Sequence, residues 1–194
     1  GRSNVGKSTL LNALVGTKVA IITPKPQTTR HAIRGIVHDP RGQIVFVDTP
    51  GVFEKSRDAL TDSLNRDVKN ALEGIDAVVY VADPTRAVGP EEHHTFAMTQ
   101  AVGKPKLMAI NKSDLPERDK PFLFEYRRMG EKMDAVFEIS ALRGGNLKPL
   151  LDKLFELLPE GEPYYPEFQL TDIETKKWIE ELIREKITVE GNRI

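Results

Sequence analysis

Residues 1–8 read Gly1-Arg2-Ser3-Asn4-Val5-Gly6-Lys7-Ser8, a glycine, four residues, then Gly-Lys-Ser. That spacing is suited to holding a chain of phosphates. The glycines let backbone N–H groups turn inward, the helix expected to begin near Lys7 adds the positive end of its dipole, and the lysine ammonium reaches the β- and γ-phosphates. The Ser8 hydroxyl is then available to a divalent cation such as Mg2+. Gly1, Ser3, Asn4, Val5, Gly6, Lys7, Ser8 and Thr9 are the candidate phosphate contacts, against the plainer reading of a glycine turn before an ordinary helix.

Three more clusters follow in order. Asp48-Thr49-Pro50-Gly51 closes the apolar run Ile-Val-Phe-Val, which would put the Asp48 carboxylate at the carboxyl end of a strand, where open α/β sheets bind ligands. Asp48 would hold Mg2+ through water, and the Gly51 amide would meet a γ-phosphate oxygen. Asn111-Lys112-Ser113-Asp114 closes the run Lys-Leu-Met-Ala-Ile and has the pattern of a guanine reader. Its chemistry rests on Asp114, a carboxylate able to accept from both N1–H and the 2-amino group of guanine, which adenine cannot supply. A site built on such a pair rejects the wrong base by ~10⁴-fold, because the carboxylate would be left unpaired. Asn111 would bond the N7 side and brace the loop, and the Lys112 stem would lie over the base. Finally, Ser140-Ala141-Leu142 would bring the Ala141 N–H to guanine O6; alone it is weak, and its value is as the last of an ordered set.

Elements must exist to carry these loops. Short β-branched runs alternate with amphipathic stretches, the pattern of strands and crossover helices around a mostly parallel sheet. Strands are expected at 31–38, 43–48, 77–83, 106–111 and 135–140, and helices at 7–15, 58–73, 91–102, 121–133 and 146–158. Asp39-Pro40-Arg41-Gly42 has the chemistry of a turn, so the first two strands should form an antiparallel hairpin. Leu147, Leu150, Leu151, Leu154, Leu157 and Leu158 make a stripe at helical spacing that belongs in a core. Three prolines between Pro159 and Pro166 suit an extended linker. Beyond it Thr171-Asp172-Ile173-Glu174 reads as a capping box opening a helix with Trp178, Ile179, Leu182 and Ile183 on one face.

The bulk properties narrow the function classes. The 194 residues carry a formal net charge of −1, so no overall basic excess marks a nucleic-acid coat. There is no cysteine for a disulfide or thiolate metal site, and no apolar run long enough for a transmembrane helix. A cytoplasmic protein is the expectation. His93 and His94 are adjacent at a helix start and read as a solvated terminus rather than a metal site. The mixed run Glu54 to Asp58 reads as switch surface.

The motif set, together with Pro-Lys-Pro-Gln-Thr-Thr-Arg at 24–30 and Leu-Pro-Glu-Gly-Glu-Pro-Tyr-Tyr-Pro at 158–166, resembles the Era-type GTPases of the TrmE-Era-EngA group. The resemblance implies a P-loop NTPase fold of class α/β, a mostly parallel sheet with one antiparallel strand, followed by a truncated C-terminal α+β, KH-like segment. It divides the chain into a GTP-binding domain at 1–158, a linker at 159–170 and a partial KH-type RNA-binding domain at 171–194. It implies GTP/GDP and Mg2+ as cofactors, with Ser8, Thr29 and Asp48 as metal contacts, Thr29, with Thr28 as the alternative, closing on the ion when GTP is bound. Lys7, Asn4, Thr29 and Gly51 are the residues it places in hydrolysis. Asn4 in related GTPases coordinates K+ beside the phosphates, the alternative here being a hydrogen bonder that braces the loop, and Val52 stands where Ras-like enzymes have a water-orienting glutamine. The implied partners are 16S ribosomal RNA and the 30S subunit, with peripheral inner-membrane association and a monomeric state. Two departures accompany it: no strand feeds Gly1, so one is expected to precede it, and the GXXG loop of a KH domain is not among these residues. A competing reading is an RNA-binding or membrane-peripheral module in which the nucleotide is structural; a metabolite kinase is opposed by Asn111–Asp114.

Overall fold

The β-branched runs form strands and the amphipathic stretches form helices, close to where the spacing puts them. A computed structural model describes residues 1–17, 19–20, 33–48 and 74–172. In chain order these form α1 (Lys7–Val15), β1 (Ile33–Asp39), β2 (Gly42–Asp48), β3 (Val78–Ala82), α2 (Pro90–Gln100), β4 (Lys106–Ile110), α3 (Leu123–Gly130), β5 (Ala135–Glu138) and α4 (Leu147–Leu157), with a 3₁₀ turn at Glu117–Asp119. The expected helix at 58–73, the segment 24–30 and the helix after Asp172 lie outside the described residues.

Two sheets are present among the described residues. β1 and β2 are the expected antiparallel hairpin, with Asp39 opposite Gly42 across Pro40 and Arg41. β3, β4 and β5 are parallel in that order. The mostly parallel sheet of the sequence reading is thus seen as a hairpin beside a parallel sheet.

Alternation along the parallel strands builds three layers, since neighbouring residues of a strand face opposite sides. Val81, Leu107 and Ala109 point toward α1 and α4, where Leu10, Leu150 and Leu154 meet them. Tyr80, Met108 and Ile110 point the other way, toward Phe96 of α2 and Leu123 and Tyr126 of α3. Both faces are covered, so these strands read as nearly continuous apolar runs. Of the leucine stripe, Leu147, Leu150 and Leu154 are buried, and each contributes on the order of 1.5–3 kcal/mol by leaving water. His93 and His94 are exposed, as a solvated helix start requires.

Contacts with α1, α4 and the segment after α4 hold the hairpin. Gly35 lets α1 pack closely on β1: a Cβ there would collide with the Leu11 side chain. At the tip, the Arg41 guanidinium pairs with Asp39 and with Asp152 of α4, each at 2.7 Å, and lies 4.3 Å from the Phe155 ring centroid. The proline-rich segment after α4, expected as an extended linker, forms no helix or strand over 159–170, bends at 164–165, turns at 167–168 and is docked. Gln43 donates to the Tyr165 carbonyl at 2.9 Å and accepts from the Tyr164 and Tyr165 amides. The Ile36 amide donates to the Leu170 carbonyl at 2.9 Å, and Arg34 pairs with Asp172.

Candidate functional site

The carboxyl ends of β2, β4 and β5 and the start of α1 converge on one region, and the described residues of the four motifs sit there. Gly6 precedes α1 with φ 98°, a left-handed conformation that glycine adopts without strain. A side chain at Gly6 would also run into the Asn111 amide. The loop therefore needs glycine twice over, for its turn and for the closeness of its neighbour. Asn4 is exposed and takes a left-handed φ of 57°, a conformation asparagine tolerates better than most.

Lys7 opens α1, and its ammonium donates to the Arg2 carbonyl across the loop at 2.7 Å. Burial pulls its pKa below the ordinary lysine value, while the Asp48, Glu91 and Glu92 carboxylates act in the other direction. A cation held in a part-buried loop lined by backbone groups is a receptor for anions. Beside it the Ser8 hydroxyl donates to Asp48 Oδ2 at 2.7 Å, which joins the first motif to the second. Asp48 is buried at the last position of β2.

This pair fits Mg2+: both groups offer hard oxygen, and Mg2+ takes one or two protein oxygens together with phosphate and water rather than an all-protein cage. Among the described residues, no group of three or more His, Cys, Asp or Glu is placed to hold a metal. Thr29, Thr49, Pro50 and Gly51, the other expected contacts of cation and γ-phosphate, lie outside the described residues.

The base-reading half is built around Asn111. Its buried side chain donates from Nδ2 to the Val5 carbonyl at 3.0 Å and accepts at Oδ1 from the Ala141 amide at 2.9 Å. One amide thus staples the phosphate loop to the Ser140-Ala141-Leu142 loop. The bracing role expected of Asn111 is what the structure shows, while the Ala141 N–H expected at guanine O6 is engaged by Asn111. Asp114 is exposed; Ser140 donates to its Oδ1 at 2.6 Å. That bond holds the carboxyl pKa below the usual carboxylate range. The group is therefore ionised at neutral pH, with an oriented acceptor pair turned to solvent. Ser140 also accepts from the Arg143 amide at 3.0 Å, and Leu142 is exposed.

Lys112 has a left-handed φ of 65°, and its ammonium pairs with Asp83 Oδ2 at 2.6 Å. Asp83, fully buried at the end of β3, also accepts from the Thr85 amide and hydroxyl at 3.0 and 2.7 Å. Sequence reasoning missed Asp83. The signal was available: an aspartate directly after an apolar strand, Val-Ala-Asp, repeats the arrangement that drew attention to Asp48.

Comparisons with known proteins place the chain among GTPases. A family model described as 50S ribosome-binding GTPase matches residues 1–112. A protein named GTPase Era from Carboxydothermus hydrogenoformans is 42% identical over 193 residues, covering 96% of this chain and 63% of that protein. Among solved structures, Era in complex with MgGDPNP and nucleotides 1506-1542 of 16S ribosomal RNA aligns with TM-score 0.87 and 38% identity, covering 96% of this chain and 64% of that one. An Aquifex aeolicus Era variant bound to GDP and AlF4− aligns with the same TM-score of 0.87, identity of 38% and coverage of 96% and 64%. The chain thus spans a little under two thirds of the length of these relatives.

Proposed function

This chain belongs to the P-loop GTPase family whose model spans residues 1–112, on its Era-type branch, and from that premise we propose that it binds GTP and GDP and hydrolyses GTP. The observation that carries the reading is the Asn111 staple. One buried side chain joins the Val5 carbonyl of the phosphate loop to the Ala141 amide, so phosphate and base subsites form one site.

Each group then has a task. The loop amides and Lys7 cradle the phosphates, the ammonium exchanging the Arg2 carbonyl for phosphate oxygen. Ser8, Asp48 and Thr29 would hold Mg2+, which when bound would offset negative charge on the phosphates. The Gly51 amide meets the γ-phosphate, with Thr49 and Pro50 shaping its approach. Asp114 reads the guanine N1 and N2 edge, and Lys112 with Ala141 and Leu142 frames the ring. Phosphoryl transfer needs positioned charge more than covalent chemistry, and these groups supply it. With valine at 52, no side-chain amide orients the attacking water at that position. Intrinsic turnover is accordingly slow, and K+ at Asn4 assists it; equal rates in K+ and Na+ buffers would dismiss the K+ role.

The same reading assigns 1–158 to the GTP-binding domain, 159–170 to a linker and 171–194 to the start of a KH-type RNA-binding domain. The nucleotide state then governs contact with 16S ribosomal RNA in assembly of the 30S subunit, in the cytoplasm. What supports this is similarity to Era proteins, one of them solved with 16S RNA. The test of the nucleotide reading is Asp114→Asn, which exchanges an acceptor for a donor. It should lower GTP affinity by at least ~10²-fold and raise affinity for xanthosine triphosphate. An unchanged preference for GTP would refute the assignment. For the switch, RNA affinity of the full-length protein is compared between GTP-analogue and GDP states; equal affinities would favour the module with a structural nucleotide.

A further inference from the structure

Arg2 is the second residue of the phosphate-loop motif, and the nucleotide site makes no use of its side chain. That side chain is 6% exposed and runs inward, among β3, α2 and α3. Its Nε lies 2.8 Å from Glu92 Oε2, an ion pair whose N–H is not aligned for a hydrogen bond. Its Nη1 donates to the Ala87 carbonyl at 3.1 Å and its Nη2 to the Tyr126 hydroxyl at 3.2 Å. Glu92 is completely buried; it accepts from the Tyr126 hydroxyl at Oε2, 2.8 Å away, and from the Tyr80 hydroxyl at Oε1. Both tyrosines are themselves fully buried. A second guanidinium, Arg86, donates to the Ser3 carbonyl at 2.8 Å, so consecutive loop residues are gripped from behind.

The front of the same peptide faces the site. The Arg2 carbonyl is the acceptor on which Lys7 rests, at 2.7 Å. A line of contacts therefore runs from the buried Glu92 through the Arg2 side chain and backbone to the ammonium of the phosphate lysine. Stability alone does not call for charges here, because a buried ion pair is often replaced by apolar residues of similar volume without loss. Packing would be served by such residues; a fixed direction for the peptide would not. We propose that Arg2 and Glu92, with Tyr126, are positioning residues: a buried clamp that fixes the Arg2–Ser3 backbone and the resting place of Lys7, and so sets affinity for the phosphate chain without touching it. The proposal rests on the nucleotide reading above, and the experiment separates the two.

The full chain is compared with the double variant Arg2→Met/Glu92→Leu, which removes both charges together and strands neither. GDP and guanosine are titrated by calorimetry and by competition, and melting is followed in parallel. The clamp requires GDP affinity to fall ~10-fold or more and guanosine affinity to hold within about twofold, because only the phosphate subsite is displaced, while melting falls as the buried Tyr80 and Tyr126 hydroxyls lose their Glu92 acceptor. Unchanged GDP affinity in the folded double variant, or equal losses for GDP and guanosine, would overturn it. Should the double variant fail to fold, Tyr126→Phe decides: it removes one hydroxyl from the network and leaves the ion pair intact. A selective loss of GDP affinity of ~3-fold supports the clamp, and no loss overturns it. A parent chain that binds neither GDP nor guanosine sinks the nucleotide reading itself, and the clamp with it.

Discussion

Charge and its neighbours decide the behaviour of single residues in this site. Asp114 has its folded-state pKa lowered, first by the Ser140 hydroxyl. The sign follows directly: the ionised, guanine-accepting form persists above an ordinary aspartate pKa of about 3.9, and its contribution is lost only as pH falls through the lower folded value. GDP affinity is therefore expected to be level from about pH 6 to 8 and to decline only in strong acid. In Ser140→Ala the acid limb should move to higher pH; a pH titration of GDP binding that shows no such displacement would contradict the assignment. Lys7 behaves in the opposite sense, since burial depresses its pKa, while a bound phosphate would favour its charged form. Ser8→Ala removes the hydroxyl that meets Asp48 at 2.7 Å. Its expected effect is a weaker Mg2+ dependence of GTP binding and turnover reduced by at least ~10-fold, read by Mg2+ titration of steady-state hydrolysis. Without any bound group the same substitution should alter melting only slightly.

At the scale of elements, the loops hold because each strand end is stapled to the next. Asn111 is the central staple, with donor and acceptor both used in a buried place. Asn111→Ala would orphan the Val5 carbonyl and the Ala141 amide, so a loss of about 1–3 kcal/mol in denaturant unfolding is expected, alongside weaker nucleotide binding. Unaltered stability would mean that water replaces the staple. Much of this level was legible in the sequence. The Asp39-Pro40-Arg41-Gly42 turn, the leucine stripe of α4 and the alternation in β3 and β4 are local chemistry, and the elements formed within a few residues of expectation. α3 ends at Gly130 rather than 133, because Glu131 to Met133 close the turn with shorter-range bonds. What the sequence could not show is pairing between distant side chains. Neither the Asp83–Lys112 pair nor the direction taken by the Arg2 side chain has a local signature, and both exist only once β3 and α2 are packed against the loop.

For the whole molecule, the docked linker is the feature that composition concealed. Three prolines announced a linker, but Gln43 and the Ile36 amide bind it to the hairpin through groups far away in sequence. Gln43→Ala should release residues 164 and 165, seen as faster amide exchange there with the parallel sheet unchanged; equal protection would show the dock to be redundant. This attachment also ties the C-terminal segment to β1, so that a rearrangement of the hairpin would be carried to it. The central claim, however, is that phosphate and base subsites form one guanine-nucleotide site. It is tested most directly by calorimetric titration of the full chain with GDP and ADP in the presence of Mg2+. A guanine site stapled by Asn111 and read by Asp114 requires one-to-one GDP binding and ADP affinity weaker by ~10²-fold or more. Equal affinities for the two nucleotides, or no binding of either, would contradict it.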